Sequence, residues 1–230
     1  MHQTIIAETL QSRVLHRDDA VLVLDKPAGL PVHPGTGSGA SLQQYLDALR
    51  FDAARPPQLA HRLDRQTSGC LVLGRHRKAL ARLGRLFERG RVEKLYWAVV
   101  EGRPPQDAGR IELPLRKVDP HRGWKMVVDP AGQPAVTDYR VLGRGGGLAW
   151  LELRPRTGRT HQLRVHCAAL GCPILGDWVY GTRDPAVALL HLHARAVTLP
   201  FDPAGPPLTV EAPAPPHLEA ALSSLPRDCR

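Results

Sequence analysis

The charged segment at residues 61–69 places an aspartate between two arginines, directly before a short apolar run. The neighbouring guanidinium groups of Arg62 and Arg65 can hold the Asp64 carboxylate ionised, as a nucleophile or a base requires. Catalytic groups are frequent on loops that a rigid strand positions. The alternative from composition alone is a solvated turn in which Asp64 accepts hydrogen bonds from backbone N–H groups.

A second charged segment, residues 156–166, opens a predicted helix with four cationic or imidazole side chains in its first two turns. Cations at a helix N-terminus oppose the helix dipole, so we expect an anion nearby, either a phosphate or a catalytic carboxylate. Thr160, His161 and Arg164 share one helical face, which can point into a cleft. The alternative is a basic surface helix.

A lone tyrosine stands out in the predicted strand at residues 95–100. Leu95, Trp97 and Val99 alternate with Tyr96, so we expect these three on a face toward the core and Tyr96 on the other face. There the tyrosine ring can stack on a nucleobase and its hydroxyl can carry a proton. The alternative is a tyrosine that only lines a sheet.

The elements around these segments predict an α+β protein. Strands are expected at residues 13–16, 21–24, 69–74, 95–100, 136–142, 148–153 and 192–199, and helices at residues 41–49, 80–90 and 160–170. Strands and helices do not alternate regularly, which indicates a mixed, largely antiparallel sheet flanked by helices. We expect one domain over residues 1–230, an exposed basic loop at residues 116–125 and an irregular tail after about residue 212.

Composition favours a polyanionic partner. Lysine and arginine total 31 against 22 acidic residues, a net charge of +9, and 26 of the basic residues are arginine. Arginine binds phosphates and base edges through two parallel hydrogen bonds, although genomic codon bias would also raise the arginine count. No apolar run approaches the roughly 20 residues that cross a bilayer, and the four cysteines lack paired spacing, so we expect a cytoplasmic protein with reduced thiols.

Cofactor motifs are missing from the sequence. It contains neither a Walker A loop nor a Gly-x-Gly-x-x-Gly fingerprint, so we expect no nucleotide cofactor. His161, His166, His191 and His193 are the candidates for a metal site, but the sequence has no His-Glu-x-x-His and no cysteine pair with zinc spacing. We therefore expect no metal.

The motifs resemble those of the RluA-type pseudouridine synthases, which isomerise selected uridines in structured RNA. The resemblance covers nearly the whole chain and is carried, in order, by residues 24–30, 61–69, 94–96, 158–166, 176–177 and 192–194. Its most specific part is the nine-residue match His-Arg-Leu-Asp-x-x-Thr-Ser-Gly. The resemblance implies the pseudouridine synthase fold, with an active-site cleft across the sheet.

The resemblance assigns the catalytic groups. It implies that Asp64 is the catalytic aspartate, that Tyr96 packs on the target base and takes the proton from carbon 5, and that Arg164 pairs with Asp64. Asp64 would attack the anomeric carbon, add to the uracil ring or act as a base on the ribose. Each of these roles needs an ionised, closely held carboxylate.

The resemblance also assigns substrate-binding residues. Arg62 would occupy the space that the extruded uridine leaves, and Leu192 would form part of the apolar wall of the pocket. Arg159 and His161 are placed with the substrate-binding residues, and Gln162 matches the motif without a separate role.

The activity implied is an isomerisation without cofactor on a stem-loop of ribosomal RNA or tRNA, by a monomer. The chain begins about 60 residues before the catalytic motif, which is typical of compact members without an N-terminal RNA-binding domain. The competing hypotheses are a non-catalytic RNA-binding protein on the same scaffold and a metal-dependent hydrolase that uses the histidines.

Overall fold

The structure, a computed structural model, describes residues 9–34, 40–118 and 125–226. The chain divides into two compact units. Unit 1 comprises Met1–Lys94 and Ala194–Pro213, and unit 2 comprises Leu95–His193 and Ala214–Arg230. That all 230 residues act as one catalytic domain stays a prediction.

The elements follow one another along the chain as strands interrupted by short helices. The strands are β1 (Val14–Arg17), β2 (Val21–Lys26), β3 (Gln58–Leu59), β4 (Ser68–Gly74), β5 (Glu93–Glu101), β6 (Ala108–Glu112), β7 (Leu115–Val118), β8 (Lys125–Val128), β9 (Val136–Gly145), β10 (Leu148–Pro155), β11 (Leu192–Leu199) and β12 (Leu208–Glu211). The helices are α1 (Arg77–Glu88), α2 (Gln162–Ala169) and α3 (Pro216–Ser223), and a 3₁₀ helix spans Leu42–Leu49.

Unit 1 is organised around the fully buried strand β4. The strand order is β1–β2–β4, and β3 also pairs with β4. The hairpin between β1 and β2 turns at Asp18, whose Oδ1 accepts hydrogen bonds from the N–H groups of Ala20 and Val21, each at 2.7 Å. Every residue of β4 is buried, and α1 covers one face of the strand, where Leu83 lies in a core cluster with Cys70 and Val72.

Unit 2 contains the antiparallel order β5–β10–β9–β6 and the separate hairpin of β7 and β8. Its core lies between these strands and α2, which contributes Leu163 and Cys167. A second cluster on the other face joins Val99 and Trp150 to Leu218 of α3. Both faces of the central strands are therefore covered.

The predicted fold class is confirmed. The strand pairs with a defined register run antiparallel, and the helices pack on them, as expected for a mixed, largely antiparallel sheet with few helices. Among the described residues, none of the helices has the length and apolarity needed to span a membrane.

The prediction of an irregular tail after about residue 212 is wrong. The prolines that suggested it surround α3, which begins at Pro216 and buries Leu218 completely. Proline is compatible with the first turn of a helix, because the first N–H groups have no partner within the helix. The predicted basic loop at residues 116–125 is wrong at both ends, because residues 116–118 belong to β7 and Lys125 begins β8, and residues 119–124 lie outside the described residues.

The predicted polarity of β5 is also wrong in part. Trp97 and Val99 do face a core cluster, but Ala98 and Val100, on the side of Tyr96, are completely buried in another. The predicted alternation of the β5 side chains between the two faces of the sheet was correct. A strand that is covered on both faces cannot show which face is solvated from its pattern alone.

Candidate active site

The motif loop (residues 61–69) begins at His61, which is held by the strand that follows. His61 Nε2 accepts a hydrogen bond from the N–H of Val72 at 2.9 Å, and its ring stacks on Phe87 with the centroids 4.5 Å apart. Burial, together with the charge of Lys94, lowers the pKa of His61 to about 3. The imidazole is therefore neutral at physiological pH and serves as a hydrogen-bond acceptor for the backbone.

The far end of the loop is fixed by a close approach of two backbones. Gly69 has a φ of +103°, and a Cβ at this position would overlap the carbonyl of Ala194. Before it, the N–H of Thr67 donates to the carbonyl oxygen of Asp64 at 3.1 Å, which closes a turn. Thr67 is buried, whereas Asp64 is half-buried. The carboxylate of Asp64 thus stands on a loop that is anchored at both ends.

Lys26 holds the motif loop through hydrogen bonds of its side chain. This side chain has no exposed surface, and its Nζ donates to the carbonyl oxygens of Pro27, Leu30 and Arg65 at 2.8, 2.9 and 3.2 Å. Gly29 and Arg65 add two more bonds: the N–H of Gly29 donates to the Arg65 carbonyl at 2.8 Å, and Arg65 Nε donates to the Gly29 carbonyl at 3.0 Å. The residue after Asp64 is consequently tied to the end of β2.

The negative charge of Asp64 acts on Lys26. Burial lowers the pKa of Lys26 to about 7, and the negative charges of Asp64 and Asp25 oppose that shift. Sequence reasoning assigned the neighbouring cations to Arg62 and Arg65, and missed this lysine. The available signal was a lysine that ends the apolar run of β2 directly before Pro27.

In unit 2, Tyr96 lies on β5 opposite Leu153 of β10. It is half-buried and packs against the margin of the core cluster that contains Ala98 and Leu151. This packing fixes the ring. Its contact with a target base stays a prediction.

Arg164 is held by an acidic residue of the same unit. Arg164 Nε and Nη2 donate to the two carboxylate oxygens of Asp177 at 2.7 and 2.6 Å. Both side chains are buried. Asp177 Oδ1 also accepts hydrogen bonds from the N–H groups of Val179 and Tyr180, at 3.0 and 3.2 Å. The pairing of Arg164 with Asp64, which belongs to unit 1, stays a prediction.

Tyr180 connects three parts of unit 2. Its hydroxyl lies 2.8 Å from Nδ1 of His161 and accepts a hydrogen bond from the N–H of Met126, on β8, at 2.9 Å. The guanidinium carbon of Arg164 lies 5.1 Å above its ring centroid. Sequence reasoning missed Asp177 and Tyr180 as positioning residues, although Asp177 lies in one of the matched motifs.

The N-cap of α2 lies one residue after Thr160, the residue predicted to cap it. His161 precedes the helix with a left-handed backbone, φ +52°, so the first helical residue is Gln162. Such a backbone is rare for residues other than glycine and marks a constrained position. The His161 side chain is thereby directed toward Tyr180.

Gln162 has a structural role. Its Oε1 accepts hydrogen bonds from the Thr157 hydroxyl and the Arg159 N–H, at 2.7 and 3.0 Å. Its Nε2 donates to the Val136 carbonyl and to the Thr137 hydroxyl, at 2.9 and 3.0 Å. The carboxamide therefore joins the loop before α2 to β9, and its hydrogen-bonding groups are satisfied within the protein.

The remaining predicted substrate-binding residues differ in exposure. Arg62 and Arg159 are exposed, and Arg159 Nε donates to the Pro134 carbonyl at 3.1 Å. Leu192 is only 3% exposed and belongs to the core cluster of unit 2. The role of each in binding substrate stays a prediction.

The histidines considered as metal ligands are occupied in the fold. His166 Nδ1 lies 2.9 Å from the Thr137 hydroxyl, and its Nε2 lies 3.1 Å from the Leu113 carbonyl oxygen. His191 Nδ1 lies 3.0 Å from the Leu189 carbonyl oxygen. Within the part of the chain that the structure describes, there is no cluster of three or more histidine, cysteine or acidic side chains suited to a metal ion.

Comparison with known proteins places the chain in a class of RNA-modifying enzyme. A family model described as RNA pseudouridylate synthase matches residues 20–169. An uncharacterized RNA pseudouridine synthase of Zymomonas mobilis is 45% identical over 209 residues, which cover 90% of this chain and 95% of that protein.

Two further comparisons agree. RNA pseudouridine synthase 4, mitochondrial, of Arabidopsis thaliana is 40% identical over 83% of this chain, and the match spans 46% of that longer protein. The solved structure of human RNA Pseudouridylate Synthase Domain Containing 4 superposes with a TM-score of 0.82 at 30% identity, covering 97% of this chain and 96% of that one. The chain belongs to the RNA pseudouridylate synthase family, and the enzyme class predicted from sequence, an RNA isomerase, is confirmed.

Proposed function

We propose that this protein converts specific uridines in structured RNA to pseudouridine, with Asp64 as the catalytic carboxylate. One observation carries the proposal: Asp64 is half-buried on a loop whose two ends are fixed by His61 and Gly69, and the buried Lys26 lies within electrostatic range of it. A rigid, ionised carboxylate is what each candidate mechanism requires.

The reaction exchanges one bond to the ribose for another. The bond from the anomeric carbon to uracil nitrogen 1 breaks, the base turns while it remains bound, and the anomeric carbon joins carbon 5. Carbon 5 loses its proton and nitrogen 1 ends with one, so the product has the composition of the substrate. Electrons balance without an oxidant or a reductant, so the chemistry requires no redox cofactor.

Three side chains act in the proposed reaction. Asp64 attacks the anomeric carbon, adds to the uracil ring or acts as a base on the ribose. Tyr96 stacks on the base and accepts the carbon 5 proton through its hydroxyl. Arg164, oriented by Asp177, pairs with Asp64 and keeps it ionised.

The proposed substrate is a stem-loop of ribosomal RNA or tRNA. A uridine inside such a structure must leave its stack, at a cost of a few kcal/mol, before it reaches a carboxylate. Arg62, exposed two residues before Asp64, fills the space that the base leaves. Phosphate contacts from the arginine-rich surface offset the cost, and binding should therefore weaken steeply with salt.

The test is pseudouridine formation in bulk cellular RNA by the wild-type protein and by Asp64→Asn. We expect product with the wild type, none with the variant, and RNA affinities within a few-fold of each other. Asp19→Asn, an exposed aspartate on the first hairpin, is the matched control and should retain full activity. Appreciable turnover by Asp64→Asn would refute the role of Asp64.

The competing hypotheses give different results in the same assay. A non-catalytic RNA-binding protein would bind the RNA and leave its uridines unchanged, and a metal-dependent hydrolase would lose activity in a chelator. Mapping pseudouridines in cells with and without the gene would identify the target uridines. The monomeric state and the cytoplasmic location stay predictions, and the Arabidopsis relative is mitochondrial by name.

A further inference from the structure

A basic groove runs along α1 in unit 1, outside the motif loop. It encloses about 750 Å³. The groove is lined by Ala20, His76, Lys78, Ala79, Arg82, Arg85, Leu86, Arg89, Arg91 and Phe201. Five of these ten side chains are lysine or arginine, and none is acidic. The groove therefore presents positive charge alone.

The cations are arranged in a row. Lys78, Arg82, Arg85 and Arg89 follow one another at spacings of four, three and four residues, which places them on one face of the helix. Among the described residues, none of them forms an ion pair. Like charges at these spacings repel each other and destabilise a helix by a few tenths of a kcal/mol per pair. A bound polyanion would relieve that repulsion.

One cation is held in place by the floor of the groove. The guanidinium carbon of Arg82 lies 4.8 Å from the ring centroid of Phe201, which itself packs against the core of unit 1. Arg85, Arg89 and Arg91 are exposed at the rim. An apolar floor below a rim of guanidinium groups suits a phosphate backbone, because each planar guanidinium can bind a phosphate through two hydrogen bonds.

The groove is separate from the catalytic loop. Phe87, which stacks on His61, is five residues after Arg82 and lies about 140° away from it around the helix. Helix α1 thus supports the motif loop with one face and presents the cations on another.

We propose that this groove binds the phosphate backbone of the substrate RNA at a position away from the target uridine. The inference rests on the proposed function for the identity of the RNA, but not for the charge of the ligand. Such a site adds affinity for structured RNA without contributing to the chemical step. The side chains that contact the phosphates then belong to the same chain as the motif loop.

The experiment uses a short RNA duplex made only of G and C, which contains no uridine and cannot be a substrate. The groove variant replaces Arg85, Arg89 and Arg91 by glutamine. We expect its affinity for the duplex to fall roughly tenfold, and the slope of log affinity against log salt to fall by about two to three. These residues are exposed, so folding should be preserved, as a thermal melt of each variant would show.

The control variant carries the same change of charge elsewhere. Arg55, Arg103 and Arg183, all exposed and outside the groove, are replaced by glutamine. If both triple variants weaken binding equally, net charge is responsible and the proposal is wrong. It is also wrong if the groove variant loses affinity for an acidic peptide but keeps its affinity for the duplex, since the partner would then be a protein.

Activity separates this inference from the proposed function. On a minimal stem-loop that carries only the target, the groove variant should keep the wild-type kcat, while KM for longer RNA rises. If the wild type makes no pseudouridine and the groove variant still loses affinity for the duplex, the isomerase proposal fails. The proposal that the groove binds a phosphate backbone is then retained. If the wild type is active and the groove variant binds the duplex normally, only the groove proposal fails.

Discussion

The guanidinium of Arg164 and the carboxylate of Asp177 form a buried two-point ion pair, with nitrogen–oxygen distances of 2.6 and 2.7 Å. Two backbone N–H groups complete the hydrogen bonds of the carboxylate. Because both side chains are buried and two hydrogen bonds join them, Arg164 has little freedom to rotate. The orientation of the arginine proposed to face Asp64 therefore depends on Asp177.

Asp177→Asn should damage both stability and activity. The amide keeps the shape of the side chain but removes the negative charge from a buried two-point ion pair, and breaking such a pair by changing one partner costs about 3–5 kcal/mol in other proteins. We expect a large fall in the free energy of unfolding in denaturant, and a lower kcat wherever the protein remains folded.

Asp138→Asn is the matched control for this change. Asp138 bonds Arg110 and Arg156 at 2.6 and 2.7 Å, but both arginines are largely exposed. Ion pairs of this kind contribute about 1 kcal/mol or less. Equal losses of stability in the two variants would contradict the role assigned to Asp177.

Tyr96→Phe should slow the chemical step while the fold is retained. The ring continues to pack against the core cluster of unit 2, and only the hydroxyl is lost. Loss of a general base lowers rates by roughly 10²–10⁴-fold, which a single-turnover measurement would detect. Tyr45→Phe, in the 3₁₀ helix, is the control. A single-turnover rate equal to that of the wild type would exclude Tyr96 as the proton acceptor.

Arg62→Ala should impair extrusion of the target base. Arg62 is exposed, so its removal should change stability by less than about 0.5 kcal/mol. We expect a weaker response from a fluorescent reporter of base flipping on folded RNA, and a smaller effect on a single-stranded substrate. The exposed Arg55→Ala provides the comparison. A normal flipping signal from Arg62→Ala would disprove the assignment.

Lys26 should make stability depend on pH. Its pKa is about 7 in the folded protein and near 10.5 when it is exposed, so between these values the unfolded chain binds a proton that the folded protein lacks. Stability contributed by this residue should therefore rise with pH from about 7 to 10.5, and stay constant below 7.

The measurement is the difference in unfolding free energy between the wild type and Lys26→Met across this pH range. The exposed Lys78→Met provides the reference, for which we expect no such rise. A nitrogen NMR titration of the Lys26 side chain would measure the same pKa without a substitution. A difference that does not change with pH would show that folding does not lower the pKa of Lys26.

Local pattern predicted most elements of the fold. Alternation and apolar runs located β4, β5 and β11, and apolar spacing located α1, because these signals depend only on neighbours along the chain. The tail was mispredicted, since the prolines near α3 break most structures but are compatible with a first turn. In the structure α3 is anchored by Leu218, which lies in a core cluster with Val99 and Trp150, residues far from it in sequence.

The candidate site, like the fold, was predicted only in part from the sequence. The spacing of the 61–69 motif, and its resemblance to a known family, singled out Asp64, and the sequence alone established the family of the protein. Only the tertiary structure showed that a buried Lys26 supports the loop and that Asp177 and Tyr180 orient Arg164 and His161. Burial, charge and hydrogen-bond geometry are properties of residues brought together in space, and spacing along the chain does not contain them.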